Sequence, residues 1–234
     1  MEKLPANNKI TLETILVLAI AFLWNGGVYM AARLIAGEWH HYDLTTSFDR
    51  MIPFVPWTVA IYFGCYIFWG VNYYMCSRQE AGKRNRFFAA DALAKAICFI
   101  IFIAIPTTNI RPEITDTGLW GFLMTFLYQI DSADNLFPSI HCLVSWLCWV
   151  GIRKEKSVSK GYRTFSFLMA VAVCISTLTT YQHVIADVIG GVLLAELTYY
   201  AAGNKRIADS YWRLIEKAAL ILRNIYMRQR GTRC

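Results

Sequence analysis

Apolar residues in this chain fall in long runs, without the polar face at every turn that marks a half-buried helix, so run length decides what the segments are. A helix that crosses a bilayer needs about 20 mostly apolar residues. Charge and proline bound six such runs, at residues 15–35, 57–76, 87–106, 137–152, 162–181 and 184–202, the last two separated by a sharp turn near Gln182 and His183. The pattern predicts an all-α integral membrane protein, a bundle of six spanning helices. No Gly/Ser linker, repeat or low-complexity tract divides it, so residues 1–203 read as one six-span membrane domain. The first run is longer than the apolar core of a secretory signal peptide, and the residues before it are not strongly basic, so it reads as a retained span. Residues 204–234 read as a basic, amphipathic cytoplasmic tail, with Trp212, Leu214, Ile215, Leu220, Ile221 and Ile225 among the apolar positions of a helix lying on the inner surface. The segment 117–128 is too short to span and rich in Leu, Phe and Trp, which predicts an interfacial helix shaping lipid entry.

Composition agrees with this pattern: 56% of the residues are hydrophobic and 17% charged, and mean hydropathy is +0.38. That is too apolar for an ordinary soluble domain. The net charge of +7 is less informative than its placement. Lys and Arg cluster before the first run and after the second, fourth and sixth, whereas the intervening loops carry only Arg50 and Arg111. The positive-inside rule then predicts cytoplasmic termini in a multi-pass cell-membrane protein, with loops 36–56, 107–136 and the turn near 182 facing outward. Because the basic residues flank spans, anionic membrane lipids account for them and nucleic acid is not an expected partner. Most of the seven cysteines lie inside predicted spans and none in an outer loop, which argues against a disulfide framework. No Cys/His cluster has metal-ligand spacing, and the adjacent His40 and His41 lack further ligands, so no metal is expected.

Ionisable side chains inside a bilayer are costly, and each one needs a reason. Asp91 and Lys95 are four apart on one helix and read as an ion pair; Glu196 has no partner identifiable in the sequence. His183 and Asp187 share the same four-residue spacing at the outer start of the last span. There a carboxylate can hold one ring nitrogen and leave the other with an outward lone pair, fit for a nucleophile or general base. In Phe137-Pro138-Ser139-Ile140-His141, Pro138 suits the first turn of a helix, whose free N–H groups and Ser139 hydroxyl can hold phosphoryl oxygens. His141, slightly further in, can protonate a leaving alkoxide. Arg111 can clamp a phosphate as a bidentate fork. All of these fall on the predicted outer side.

These residues resemble the type 2 phosphatidic acid phosphatase (PAP2) superfamily, whose pattern is K-x6-R-P, P-S-G-H and S-R-x5-H-x3-D. Pro138-Ser139-Ile140-His141 is similar to the second motif with Ile140 in place of Gly. Ser176, His183 and Asp187 are similar to the third with Thr177 in the Arg position, and Arg111-Pro112 to the end of the first with Ala104 in the Lys position. The Phe-Pro-Ser-Ile-His and Thr-Tyr-Gln-His-x3-Asp-x2-Gly-Gly runs also resemble the inositol phosphorylceramide synthase branch, whose enzymes move a phospho-headgroup between lipids. The resemblance implies a six-helix bundle of the PAP2 type and a lipid phosphate substrate, with no cofactor. It further implies that His183 attacks phosphorus, Asp187 stabilises the imidazolium, His141 protonates the leaving group and a phosphohistidine follows. Water as acceptor makes a phosphatase, the outcome favoured here, and an alcohol makes a phosphotransferase. Two family cations are missing, and Asn135, Tyr181 and Gln182 are candidates to supply neutral hydrogen bonds instead.

Taken singly, each residue has a plainer reading: a histidine in a helix usually packs, and Pro-Ser often just starts a helix. A transporter or channel with a His/Asp proton relay is the alternative function, though no repeated, broken spans favour it.

Overall fold

The computed structural model describes residues 10–231. Among them the chain is almost entirely helical: α1 (Leu12–Ala36), α2 (Val59–Ser77), α3 (Ala81–Ala104), α4 (Leu119–Ile130), α5 (Ile140–Ile152), α6 (Lys160–Thr179), α7 (Ile185–Ala201) and α8 (Lys205–Gly231). The six apolar runs become α1, α2, α3, α5, α6 and α7; the short amphipathic segment becomes α4 and the tail α8. Local chemistry sets several of the starts. Thr11 caps α1 by accepting the Thr14 N–H, and Ser159 caps α6 by accepting the Tyr162 N–H. Two short strands, Tyr42–Asp43 and Thr107–Thr108, pair in parallel and tie the α1–α2 loop to the end of α3.

By length and composition α1, α3 and α6 are apolar enough to cross a membrane, whereas α7 meets the test only together with α8, from which it is bent by 92°. The run expected at 137–152 yields a helix of 13 residues. Ser139, just before the helix, is extended, and most side chains from Ile140 to Ile152 are buried among α2, α3, α6 and α7. An apolar helix of that length suits the centre of a bundle better than a lipid-facing span. Pro138 also lies outside the first turn where the sequence placed it: the Phe137–Pro138 peptide is cis, Ser139 is the N-cap and the helix begins at Ile140.

Close approach of α5 to its neighbours depends on small residues. A Cβ on Gly191 would lie 2.5 Å from the Ser139 carbonyl oxygen, and one on Gly151 would lie 2.6 Å from the Phe87 ring. Away from the site, the Asp91–Lys95 pair forms as expected, at 2.9 Å and almost fully buried. Lys95 also donates to the Ala21 carbonyl at 3.0 Å, and Tyr73 donates to Asp91 at 2.5 Å. One ion pair thereby joins α1, α2 and α3 and leaves neither charge uncompensated. Glu196 pairs with Arg153 and accepts the Trp146 N–H at 3.0 Å. The Lys83–Glu155 pair and the stacking of Arg84 on Trp212 gather basic residues at this end of the bundle, beside α8.

Gly191→Ala should lower thermal stability by ~1–3 kcal/mol through overpacking. Gly161→Ala, where a Cβ meets nothing within 4 Å, should leave it unchanged or slightly raised. Thermal unfolding of the two variants in the same detergent checks the difference.

Candidate active site

At the start of α7 the chain makes a tight turn from α6. The Thr177 carbonyl accepts both the Gln182 and His183 N–H groups, at 2.9 and 3.1 Å, and Tyr181 takes up a left-handed backbone with φ of 52°. Three groups from elsewhere hold this turn: Tyr128 donates to the Thr180 carbonyl, Asn109 to the Tyr181 carbonyl and Arg111 to the Gln182 side chain. Thr177, in the position of the family arginine, is fully buried, and its hydroxyl donates to the Cys174 carbonyl at 2.8 Å.

His183 Nδ1 lies 3.2 Å from Asp187 Oδ2, which also accepts the Val184 N–H at 3.0 Å. A carboxylate only accepts, so Nδ1 carries the proton and Nε2 keeps its lone pair. Burial pushes the His183 imidazole down, but the Asp187 hydrogen bond and charge, with help from Cys142 and Asp131, outweigh it and leave the group above its ordinary value. The Asp187 carbonyl meanwhile accepts the Ser139 N–H at 3.0 Å, which docks the start of α5 on the first turn of α7.

That docking brings the His141 and His183 rings to 6.0 Å between centroids. His141 sits among aromatic side chains from α2: Tyr62 OH is 3.3 Å from Nδ1, Tyr66 OH is 3.3 Å from Nε2, and the Trp69 ring lies 5.5 Å away, tilted by 38°. Tyr62 also donates to Asp131 at 2.5 Å, so a carboxylate, a phenol and an imidazole form a chain. Both histidines line a cavity of about 190 Å³ together with Asn25, Tyr29, Tyr66, Asp131, Asp134, Asn135 and Gln182. Asn25 and Tyr66 also line an apolar groove of about 370 Å³ that continues between α1 and α2 past Trp69 and Gly70.

Of the residues singled out in the sequence, His141, His183, Asn135 and Gln182 line this cavity, and Asp187 is bonded to His183 behind it. Ser139 is fully buried and its hydroxyl is occupied as the N-cap, accepting the Cys142 N–H at 3.3 Å. Tyr181 turns away, donating to the Ile52 carbonyl at 2.8 Å. Arg111 stands behind the cavity wall, donating to the Asp131 carbonyl and, at 2.8 Å, to Gln182, with its guanidinium over the Tyr128 ring. Tyr29, Tyr62, Tyr66, Asp131 and Asp134 did not emerge from the sequence. The tyrosines of α2 read there as part of an apolar run, although Tyr62 and Tyr66 are spaced to share one helix face. Among the described residues no three of His, Cys, Asp and Glu converge as metal ligands.

A family model described as the PAP2 superfamily matches residues 58–201, more than half of the chain. No curated protein matches the chain.

In histidine-labelled protein followed by NMR, His183 should titrate with a midpoint above the ordinary value of about 6.5, and Asp187→Asn should move that midpoint down because burial then dominates. Since the folded value is raised, the pair's contribution to stability is complete below about pH 6.5 and is lost as pH rises through the folded midpoint.

Proposed function

This chain belongs to the PAP2 superfamily, and we propose that it is a membrane lipid phosphatase or phosphotransferase acting on a lipid phosphate ester or diphosphate. The observation that carries the reading is the facing pair of imidazoles, His183 backed by Asp187 and His141 by phenols, across one cavity. A His/Asp proton relay would use the same three residues; membership of the PAP2 superfamily supports phosphoester chemistry over it.

In the proposed reaction His183 Nε2 attacks phosphorus and forms a P–N bond while the bond to the leaving oxygen breaks. Protonated His141 gives its proton to that oxygen, and Asp187 stabilises the imidazolium left on phosphohistidine. Neutral His141 next takes a proton from the acceptor, whose oxygen attacks phosphorus; the P–N bond breaks and the lone pair returns to His183. Water is the acceptor in our reading, and an alcohol would give transfer. The Asp131–Tyr62 arm supports proton exchange at His141 by holding its Nδ1 side.

The lipid part of the reading is supported by the apolar groove, which shares Asn25 and Tyr66 with the histidine cavity and so offers a hydrocarbon chain a route to it from the membrane. An extracytoplasmic site with cytoplasmic termini is supported by charge: Lys83, Arg84, Arg86, Arg153 and Lys154 sit at the helix ends opposite the histidines. On this reading residues 1–203 form the membrane domain and 204–234 the cytoplasmic tail.

Purified protein given phosphatidic acid, isoprenyl diphosphates and phosphosphingolipids should release phosphate or transfer a headgroup through an acid-labile, alkali-stable phosphoenzyme. His183→Ala should abolish both in protein that still folds, with a lowered unfolding temperature because buried Asp187 loses its partner, whereas His141→Ala should slow phosphoenzyme formation about 10²–10⁴-fold, the usual contribution of a positioned acid. Wild type that turned over none of these lipids and trapped no phosphoenzyme would sink the proposal. Gly70 lines the groove with nothing within 4 Å of its Cβ position. Gly70→Leu should therefore raise KM for long-chain substrates several-fold and leave short-chain analogues unaffected, as steady-state kinetics on a chain-length series would read.

A further inference from the structure

We propose that Gln182 is the phosphoryl-oxygen donor of this site and that Arg111 is a positioning residue acting through it, an inference that rests on the phosphoester reading above. The chain lacks two of the family's cations, with Ala104 and Thr177 in their places, and the cavity lining contains no Lys or Arg but two aspartates, Asp131 and Asp134. Asp134 is engaged by Arg33 at 3.2 Å and by Tyr29 at 2.6 Å, and Asp131 by Tyr62, so neither carboxylate offers an anion a donor. Apart from the two histidines, every donor lining this cavity is a neutral group.

Gln182 is one such donor. It is 1% exposed and lines the cavity beside both histidines, and its Nε2 is buried without a hydrogen-bond partner. An unsatisfied buried donor is costly and calls for a reason. The amide orientation is set by its neighbour: a guanidinium carries only donors, so the atom 2.8 Å from Arg111 must be Oε1, and the two N–H bonds of Nε2 are directed away from Arg111. The backbone beneath is equally constrained, since the Gln182 N–H bonds to Thr177 and the flanking carbonyls accept from Tyr128 and Asn109. Arg111 itself is held by the Asp131 carbonyl and the Tyr128 ring. Its positive charge polarises the amide, which makes Nε2–H a better donor to an anionic oxygen. The arginine of the first motif therefore serves the phosphate at one remove.

Orthovanadate, a mimic of the pentacoordinate phosphoryl group, is the probe, with its binding to the full-length detergent-purified protein read by vanadium-51 NMR. Gln182→Glu keeps the size of the side chain and its contact with Arg111 but removes the donor, and Gln182→Leu removes both; each should weaken binding roughly ten- to a hundredfold, the worth of a hydrogen bond to a charged group. Arg111→Leu should weaken binding several-fold in the wild-type background and have no further effect in the Gln182→Leu background, the non-additivity expected of a residue that acts through another. Thermal unfolding of every variant checks folding. Vanadate binding unchanged in Gln182→Glu would overturn the proposal, as would an undiminished effect of Arg111→Leu in the Gln182→Leu background, which would mean direct contact. Vanadate binding that depends on Gln182 without any trapped phosphoenzyme would uphold this assignment while removing the phosphohistidine. A phosphoenzyme and turnover indifferent to Gln182 would do the reverse.

Discussion

The site depends on one contact: the start of α5 resting on the first turn of α7. Gly191 allows it, because any side chain there would meet the Ser139 carbonyl, and the Ser139 N–H completes it by donating to the Asp187 carbonyl. The same two turns carry His141 and His183, so the distance between the rings follows from this backbone docking and not from any direct bond between them. Asp187 belongs to both functions, its carbonyl receiving α5 and its carboxylate receiving His183. Moving α5 outward by even an ångström would therefore open the helix contact and separate the two imidazoles together.

The bundle contains several paired ionisable groups, buried or, for Glu196 and Arg153, part-exposed, and what separates them is access to a cavity. Asp91 and Lys95 neutralise each other inside the α1–α2–α3 contact, and Glu196 is paired by Arg153; both sets satisfy the demand that charge in an apolar bundle be compensated. His183 and Asp187 satisfy the same demand but keep one ring nitrogen facing a cavity, and His141 is held by hydroxyls that leave its protonation free to change. Compensation alone makes a structural pair. Compensation with one ring nitrogen left facing a cavity is what the proposed chemistry requires.

The match to the family is looser at the cations than at the histidines, and the packing gives a physical reason. Thr177 lies in a fully buried position against Cys174 and Cys142, while Ala104 ends α3 at an exposed position. The remaining Arg111 is drawn behind the wall by a carbonyl, an amide and an aromatic ring. A site built this way has no Lys or Arg in its lining, whose polar groups are amides, phenols, the two imidazoles and two engaged carboxylates.

Much of the protein was legible in the sequence wherever the information is local. The positions of the apolar helices follow from run length, the Asp91–Lys95 and His183–Asp187 pairs from four-residue spacing on one helix, and the clustering of basic residues from charge between runs. The sequence did not show that the fourth apolar run would be a short central helix, because burial by neighbouring helices looks the same as burial by lipid when only hydropathy is read. Tyr62 and Tyr66 reach His141 from a helix that is distant along the chain, with Asp131 joined through Tyr62, and an amphipathic tyrosine in an apolar run carries no mark of which face it will present. The direction of Arg111 was equally invisible: its spacing to the proline and histidine motifs is unchanged whether it faces the cavity or the wall. Which side it takes depends on the Asp131 carbonyl, Gln182 and Tyr128, three groups that only the tertiary structure brings around it.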